Sequence, residues 1–224
     1  MDNVEQCPIC GISPPRVLDH YLPKSVFDPL AIYVRNLIPL CVECNSHKGA
    51  AAPTSPEQRF LHAYFETLPQ IRFLVATVAI QGAGLIVDFD VDPQAALDDI
   101  IHQRLTYQLA RLRLKERQAK EINTYLVGHI SAMHAFYDAG GAASLRRFLG
   151  AQAEVERDLF HANHWRPALL SALEQHQPFC EGDFATVLSL PQRTHACHLA
   201  GYEQSNNFSG APRKLTKSLS VRCK

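Results

Sequence analysis

Two cysteine pairs, Cys7-Pro-Ile-Cys10 and Cys41-Val-Glu-Cys44, separated by thirty residues, constrain this 224-residue chain more than any other feature. Pairs so spaced bring four thiolates around one ion as a tetrahedron, the closed geometry of structural zinc. The alternative is two unrelated buried or redox pairs, but a thioredoxin-like motif expects a strand–helix–strand frame that is absent here. Seven cysteines in all is an odd number, and in a reducing compartment that pattern favours metal over disulfides. The N-terminus, MDNVEQCPIC, carries neither the positive lead nor the apolar centre of a secretory signal. No stretch reaches the roughly 18 apolar residues that a membrane helix requires. A cytoplasmic chain without membrane contact is therefore expected.

The first fifty residues are too few, and too punctuated by Pro and Gly, for an ordinary core, so a metal must staple them. Arg16–Tyr21 reads as a short strand, 22–35 as a long loop with two prolines, Leu37–Leu40 as a second strand, and Val42–Lys48 as a helix closed by Gly49. Residues 51–56 read as a linker, with Ser55 and Pro56 placed to start a helix. Gly82 and Gly84 interrupt an apolar run before LIVDFDV, an alternating strand candidate. From Pro93 the pattern is helical: a run over about 93–137, another after Gly141, and a third over Val155–His176, with breaks at Gly140–Gly141 and Pro178. Beyond Phe184 periodicity fades, and from Gln204 every charged residue is basic (Arg213, Lys214, Lys217, Arg222, Lys224). The expected class is α+β: a small metal-stapled module over 1–52, a mainly helical domain with a short β segment over 53–184, and a poorly ordered basic tail over 185–224.

Polar residues of a particular kind sit between and just after the cysteine pairs: Asp19 and His20 in LDHYLP, Asn36 in RNLIPL, and Asn45, His47 and Lys48 in NSHKG. Phosphodiester hydrolysis needs a base for water and a cation for the charge that develops on phosphorus and on the leaving oxygen. An imidazole such as His20 supplies the base at physiological pH. Asp19 and Asn45 offer hard oxygen donors suited to Mg²⁺ or Mn²⁺ and poorly suited to zinc. Neighbours on a regular strand point to opposite faces, so Asp19 and His20 are expected to need a local twist or bulge to meet. Asn45 is placed at the start of its helix, where amide donors favour phosphate. Lys24 and Lys48 are candidate phosphate contacts. His47 is either a metal or phosphate contact or a solvated helix residue.

The string CPIC…DHYLPKS…NLIPLCVECNSHKG resembles the HNH endonucleases, also called ββα-metal nucleases, over about the first fifty residues. The resemblance implies one catalytic Mg²⁺ or Mn²⁺ besides the structural zinc, His20 as general base, Asp19 and Asn45 as ligands of the catalytic ion, and Asn36 as the residue that fixes the loop and orients His20. It implies DNA ahead of RNA as substrate, with 5′-phosphate and 3′-hydroxyl ends. One common form has a His directly after the last cysteine; Asn45 stands there here and still offers oxygen. The layout after the motif (RFLHAYFE, the FDV strand, NHWRPALLSAL) is more loosely similar to the HNH subunits of Septu-type antiphage systems, which implies an ATPase partner. A silent zinc-stabilised binding module and an RNA-directed, tRNA-cleaving nuclease are the alternatives.

Net charge is zero, so nucleic-acid binding would need a local basic patch or a partner. Arg104, Arg111, Arg113, Lys115, Arg117 and Lys120 offer one, with Arg113 and Arg117 the candidate contacts; an ordinary solvated helix face is the alternative. His161 and His164, three apart on an expected helix, and the THACH string (His195, Cys197, His198) invite a second metal but lack spaced partners. Cys180, Cys197 and Cys223 read as unpaired thiols, and Trp165 as core.

Overall fold

The computed structural model describes residues 5–50 and 52–188, and Met1–Leu190 form one compact unit. The class is α+β, with two small antiparallel sheets among the helices. In the first sheet β1 (Val17–His20) pairs with β2 (Leu37–Leu40), setting Asp19 opposite Ile38 and His20 opposite Leu37. Helix α1 (Val42–Lys48) follows directly, and Gly49 ends it at φ 65°, a conformation glycine adopts without steric cost. The chain between the strands is not plain loop: short 3₁₀ turns occupy Asp28–Leu30 and Val34–Asn36. At Ser55–Pro56 the expected helix is likewise only a 3₁₀ turn, Pro56–Gln58.

The second sheet is a hairpin of β3 (Leu74–Gln81) and β4 (Gly84–Val91), with Phe89 and Val91 on its buried face. The run expected over 93–137 is two helices, α2 (Asp99–Arg111) and α3 (Leu114–Leu159), parted by Arg113 in the left-handed region at φ 52°. The break has a packing cause. Leu112 and Leu114 are both buried, and an unbroken helix would set them roughly 200° apart. Helix α3 itself folds into two arms at Gly140–Gly141; Tyr125 on one arm reaches Glu156 on the other at 2.7 Å.

The third expected helix is also split. Phe160–His164 turn the chain, and α4 (Trp165–Gln175) begins only after His164. Leu126, Met133, Leu145 and Leu149 of α3 meet Leu169, Leu170 and Leu173 of α4 in the core, all fully buried. Each such side chain contributes about 1.5–3 kcal/mol relative to exposure. After a wide π-type turn at Phe179–Asp183, α5 (Phe184–Val187) brings Phe184 and Leu188 into the same core. Residues 185–188 thus belong to the fold and not to a tail. The rest of the expected tail, with Arg213, Lys214, Lys217, Arg222, Lys224, Cys223 and the THACH string, lies outside the described residues.

The boundary expected at residue 52 does not separate two compact units. Tyr21 Oη donates to the Phe60 carbonyl at 2.8 Å, Arg59 Nε donates to Tyr21 Oη, and Arg104 donates to the carbonyls of Arg59 and Phe60 and to Glu66. Among the described residues no helix is long and apolar enough to cross a membrane.

Candidate functional site

Cys7, Cys10, Cys41 and Cys44 are all buried, and their sulfurs lie within 4.8 Å of one another. The second pair is shaped by α1, where Cys41 is the N-cap and its Sγ accepts the Cys44 amide at 3.3 Å. Contacts within the cluster shift the thiols apart. Hydrogen bonding from Cys10, then from Cys44, brings Cys7 down to about 6. Cys41 and then Cys44 bring Cys10 down to about 7. For Cys41 the contact with Cys10 opposes ionisation, but Cys44 and Cys7 outweigh it and lower the thiol to about 7. Cys44 is pushed up, first by Cys10 and then by Cys41 and Cys7. The cluster's contacts thus favour ionisation at Cys7, Cys10 and Cys41 and oppose it at Cys44. A cation among the four sulfurs would favour ionisation of all of them, and the donor set is one a tetrahedral metal takes.

The turn after Cys10 is held from 153 residues away. His164 Nε2 donates to the Gly11 carbonyl at 3.0 Å and Trp165 Nε1 donates to the same oxygen at 3.3 Å, while His164 Nδ1 caps α4 by accepting the Arg166 amide. The His161–Asn163–His164 segment is therefore a docking turn and not the helical metal pair its spacing suggested. Asn163 Oδ1 accepts the amides of Phe73 and Leu74, and its Nδ2 donates to the Ile71 carbonyl. Among the described residues no second cluster of three or more metal-ligating side chains forms.

Two expected outcomes follow from this docking. Gly11 sits at φ 61°, and a Cβ there would lie 2.5 Å from His164 Nε2. Gly11→Ala should cost roughly 2–4 kcal/mol through combined backbone strain and clash, read by urea unfolding. Burial, only partly offset by the Gly11 carbonyl, holds His164 down to about 4 against an ordinary value of 6.5. The folded state keeps His164 neutral while the unfolded chain binds a proton below pH 6.5, so stability is full above that pH and falls as pH drops toward 4. The loss is on the order of 3 kcal/mol. Unfolding curves between pH 7.5 and 4 should show it in the wild type and not in His164→Asn, which retains a cap.

The residues singled out for chemistry divide between the two faces of the first hairpin. β1 runs in regular register with no bulge, so Asp19 and His20 point to opposite sides and are not brought together. Asp19 faces inward. Lys48 Nζ lies 2.7 Å from its Oδ2, with the side chains only 8% and 12% exposed. That contact is an ion pair without hydrogen-bond angles, since the buried Oδ2 has no hydrogen-bond partner; Lys48 Nζ instead donates to the His20 carbonyl at 2.8 Å. Lys48 is thus a buried internal partner and does not face a phosphate. Asn45, half-buried, lies on the same helix face three residues earlier, but it is the fourth residue of α1 and not the helix start.

On the other face His20, half-buried, bonds through Nε2 to the Ala31 carbonyl at 3.0 Å. A carbonyl only accepts, so Nε2 carries the proton and Nδ1 of the neutral ring holds a free lone pair. Asn36 controls the segment that presents this carbonyl. It is buried, its Oδ1 accepts the Leu22 amide at 2.8 Å, and its Nδ2 donates to the carbonyls of Leu22 and Leu30 at 3.0 and 3.2 Å. Lys24 is exposed on the same loop, and His47 is half-buried on α1.

The basic face expected over 102–120 does not form as one surface. Arg104 is buried against Glu66, Lys115 pairs with Asp88 and Asp90, and Arg111 donates to the Lys48 carbonyl. Arg117 turns to the cysteine cluster, its Nη1 3.2 Å from Cys44 Sγ and its Nη2 3.4 Å from Cys41 Sγ. Arg113 is exposed, with Glu116 at 3.8 Å. A cavity of about 570 Å³ lies between the first cysteine pair and the helices, lined by Pro8, Ile9, Leu61, Leu105 and Trp165 among others, and contains none of Asp19, His20 or Asn45. The roles of Arg117 and Asn163 carry no local sequence signal, whereas Gly11 directly after CPIC could have marked a positive-φ turn.

Protein ea31 of Escherichia phage lambda is 31% identical to this chain over 192 residues, covering 80% of the chain and 64% of the phage protein. The chain therefore spans just under two thirds of the length of that relative. No family model and no solved structure matches the chain.

Proposed function

We propose that this chain is a metal-dependent endonuclease of the HNH type, its N-terminal module stapled by zinc on Cys7, Cys10, Cys41 and Cys44. The observation that carries the proposal is the linkage from Asn36 through the 22–31 loop to the Ala31 carbonyl and His20. That linkage fixes the ring and, in its neutral form, places the lone pair on Nδ1, which is what a general base requires. The water oxygen forms the new bond to phosphorus as His20 Nδ1 takes its proton. The bond to the 3′-oxygen breaks, and that oxygen is protonated from solvent, leaving 5′-phosphate and 3′-hydroxyl ends. Asp19 and Asn45 would be the oxygen donors for a Mg²⁺ or Mn²⁺ that stabilises charge on phosphorus and the leaving oxygen, and serving the same phosphate as His20 would require β1 to twist out of the regular register it has here. Asp19 Oδ2 already has the Lys48 ammonium at 2.7 Å, so a metal ion there would have to displace it. DNA stands ahead of RNA as substrate. A place in a bacterial antiphage complex with an ATPase partner is supported by the layout resemblance alone.

A second possibility has an observation of its own: Asp19 is held by Lys48 on the face opposite His20, as suits a zinc-stabilised binding module without catalysis. Plasmid, single-stranded DNA and tRNA incubated with Mg²⁺ or Mn²⁺ separate the two. The nuclease predicts cleavage that His20→Ala abolishes. Equal cleavage by both proteins removes His20 as the base, and none by either, with the ATPase supplied, leaves the binding module.

A further inference from the structure

Four thiolates around one Zn²⁺ carry a net charge of −2, and in a buried site that excess must be met by donors or cations nearby. Among the described residues of the first fifty, none supplies a cation to the sulfurs. Lys48 is committed to Asp19 and the His20 carbonyl. Among the described residues, the donors that reach sulfur are the Cys44 amide, on Cys41 Sγ, the Cys41 amide, toward Cys7, and the two terminal nitrogens of Arg117, one on each sulfur of the second pair. Arg117 belongs to α3, more than seventy residues downstream, and its Nη1 also donates to the Leu112 carbonyl at 3.4 Å, at the break between α2 and α3. No carboxylate pairs with it among the described residues.

We infer that Arg117 is a positioning residue of the metal centre, compensating its charge and quenching the Cys41 and Cys44 thiolates while Cys7 and Cys10 remain the reactive side. The inference rests on the zinc assignment and is independent of the nuclease assignment. A planar fork suits two acceptors at once, which an ammonium cannot match. N–H···S bonds draw electron density from sulfur, so the second pair should bind metal with less reactive sulfurs than the first. The centre then opens from the Cys7–Cys10 side, and the bond network joining α3 to α1 is part of what the metal senses.

The test uses the full-length, zinc-loaded chain. Limiting iodoacetamide, in which a cysteine sulfur displaces iodide to form a thioether, is followed by peptide mass spectrometry. In the wild type Cys7 and Cys10 should be modified before Cys41 and Cys44; the reverse order overturns the inference without any variant. Arg117→Met should lower zinc affinity in chelator competition by about 10- to 100-fold, and Arg117→Lys should recover only part of it. With Co²⁺ in place of zinc, the sulfur-to-metal charge-transfer band should move to longer wavelength in Arg117→Met and not in Arg113→Met, a change that loss of packing alone would not produce. An unshifted band with wild-type affinity excludes Arg117 from the centre. A wild-type chain that binds no stoichiometric zinc overturns the metal assignment itself, and this inference with it.

Discussion

Stripping the metal from the intact chain with a strong chelator, or replacing Cys44 by Ser, should unfold the β1–β2–α1 segment while leaving α3 and α4 folded. The apolar side chains fully committed to the module are few: besides the cysteines, Tyr21, Ile38, Leu40 and the prolines Pro15, Pro23 and Pro39 are buried among positions 5–50. Each hairpin strand is only four residues long and α1 has seven, below the length at which either element persists alone. Structural zinc contributes about 10–16 kcal/mol in small zinc-dependent folds, against about 1.5–3 kcal/mol for each fully buried large apolar side chain. The long helices have their own core in Leu126, Met133, Leu145, Leu149, Leu169, Leu170 and Leu173. Hydrogen exchange read by mass spectrometry should therefore show protection lost across 17–48 and kept across 122–149 and 165–175. Unchanged protection at Leu37–Lys48 after metal removal would show that the cysteines pack as ordinary hydrophobes. Loss across all of these segments would show that the Arg117 and His164 contacts make the chain one cooperative unit.

The local elements of the module were legible because each has a local cause. The second strand, the helix after Cys41 and its stop at Gly49 follow from apolar spacing and one glycine. The four-cysteine cluster follows from spacing alone. What stayed hidden depends on contacts far apart in sequence. Nothing near Arg117 announces that it turns inward to sulfur, and its spacing with Arg113 suggested a shared outward face. His161 and His164 looked like a helical pair because the apolar pattern continues through them; Asn163 ends that helix by bonding the start of β3. The break at Arg113 has no Gly or Pro to mark it; it is set by the burial of both Leu112 and Leu114, which one continuous helix would place on different sides. Strand alternation did raise the question of how Asp19 and His20 could meet, and the regular register of β1 answers that as folded they do not.

Lys48→Met should destabilise the chain by about 3–5 kcal/mol, the cost of leaving one member of a buried ion pair unpartnered. The ammonium is 8% exposed and touches Asp19 Oδ2 at 2.7 Å, so its removal strands a carboxylate that is 12% exposed. Methionine keeps most of the length and the apolar stem, which isolates the charge from the packing. Asp19→Asn in the same background should recover much of the loss, and the double-mutant cycle gives the coupling directly. Unfolding can be followed by the fluorescence of Trp165, the single tryptophan, which is 2% exposed. The same variant probes the catalytic assignment without any cleavage assay. If Asp19 is a ligand for Mg²⁺ or Mn²⁺, the Lys48 ammonium competes with the ion, and removing it should tighten ion binding. Added Mn²⁺ should then stabilise Lys48→Met more than the wild type, growing as the logarithm of ion concentration above the dissociation constant, and should stabilise Lys48→Met/Asp19→Asn no more than the wild type. An equal increment in all three proteins would mean that Asp19 serves only as the buried partner of Lys48, and the proposed ion site on the inner face of the hairpin would have lost its charged donor.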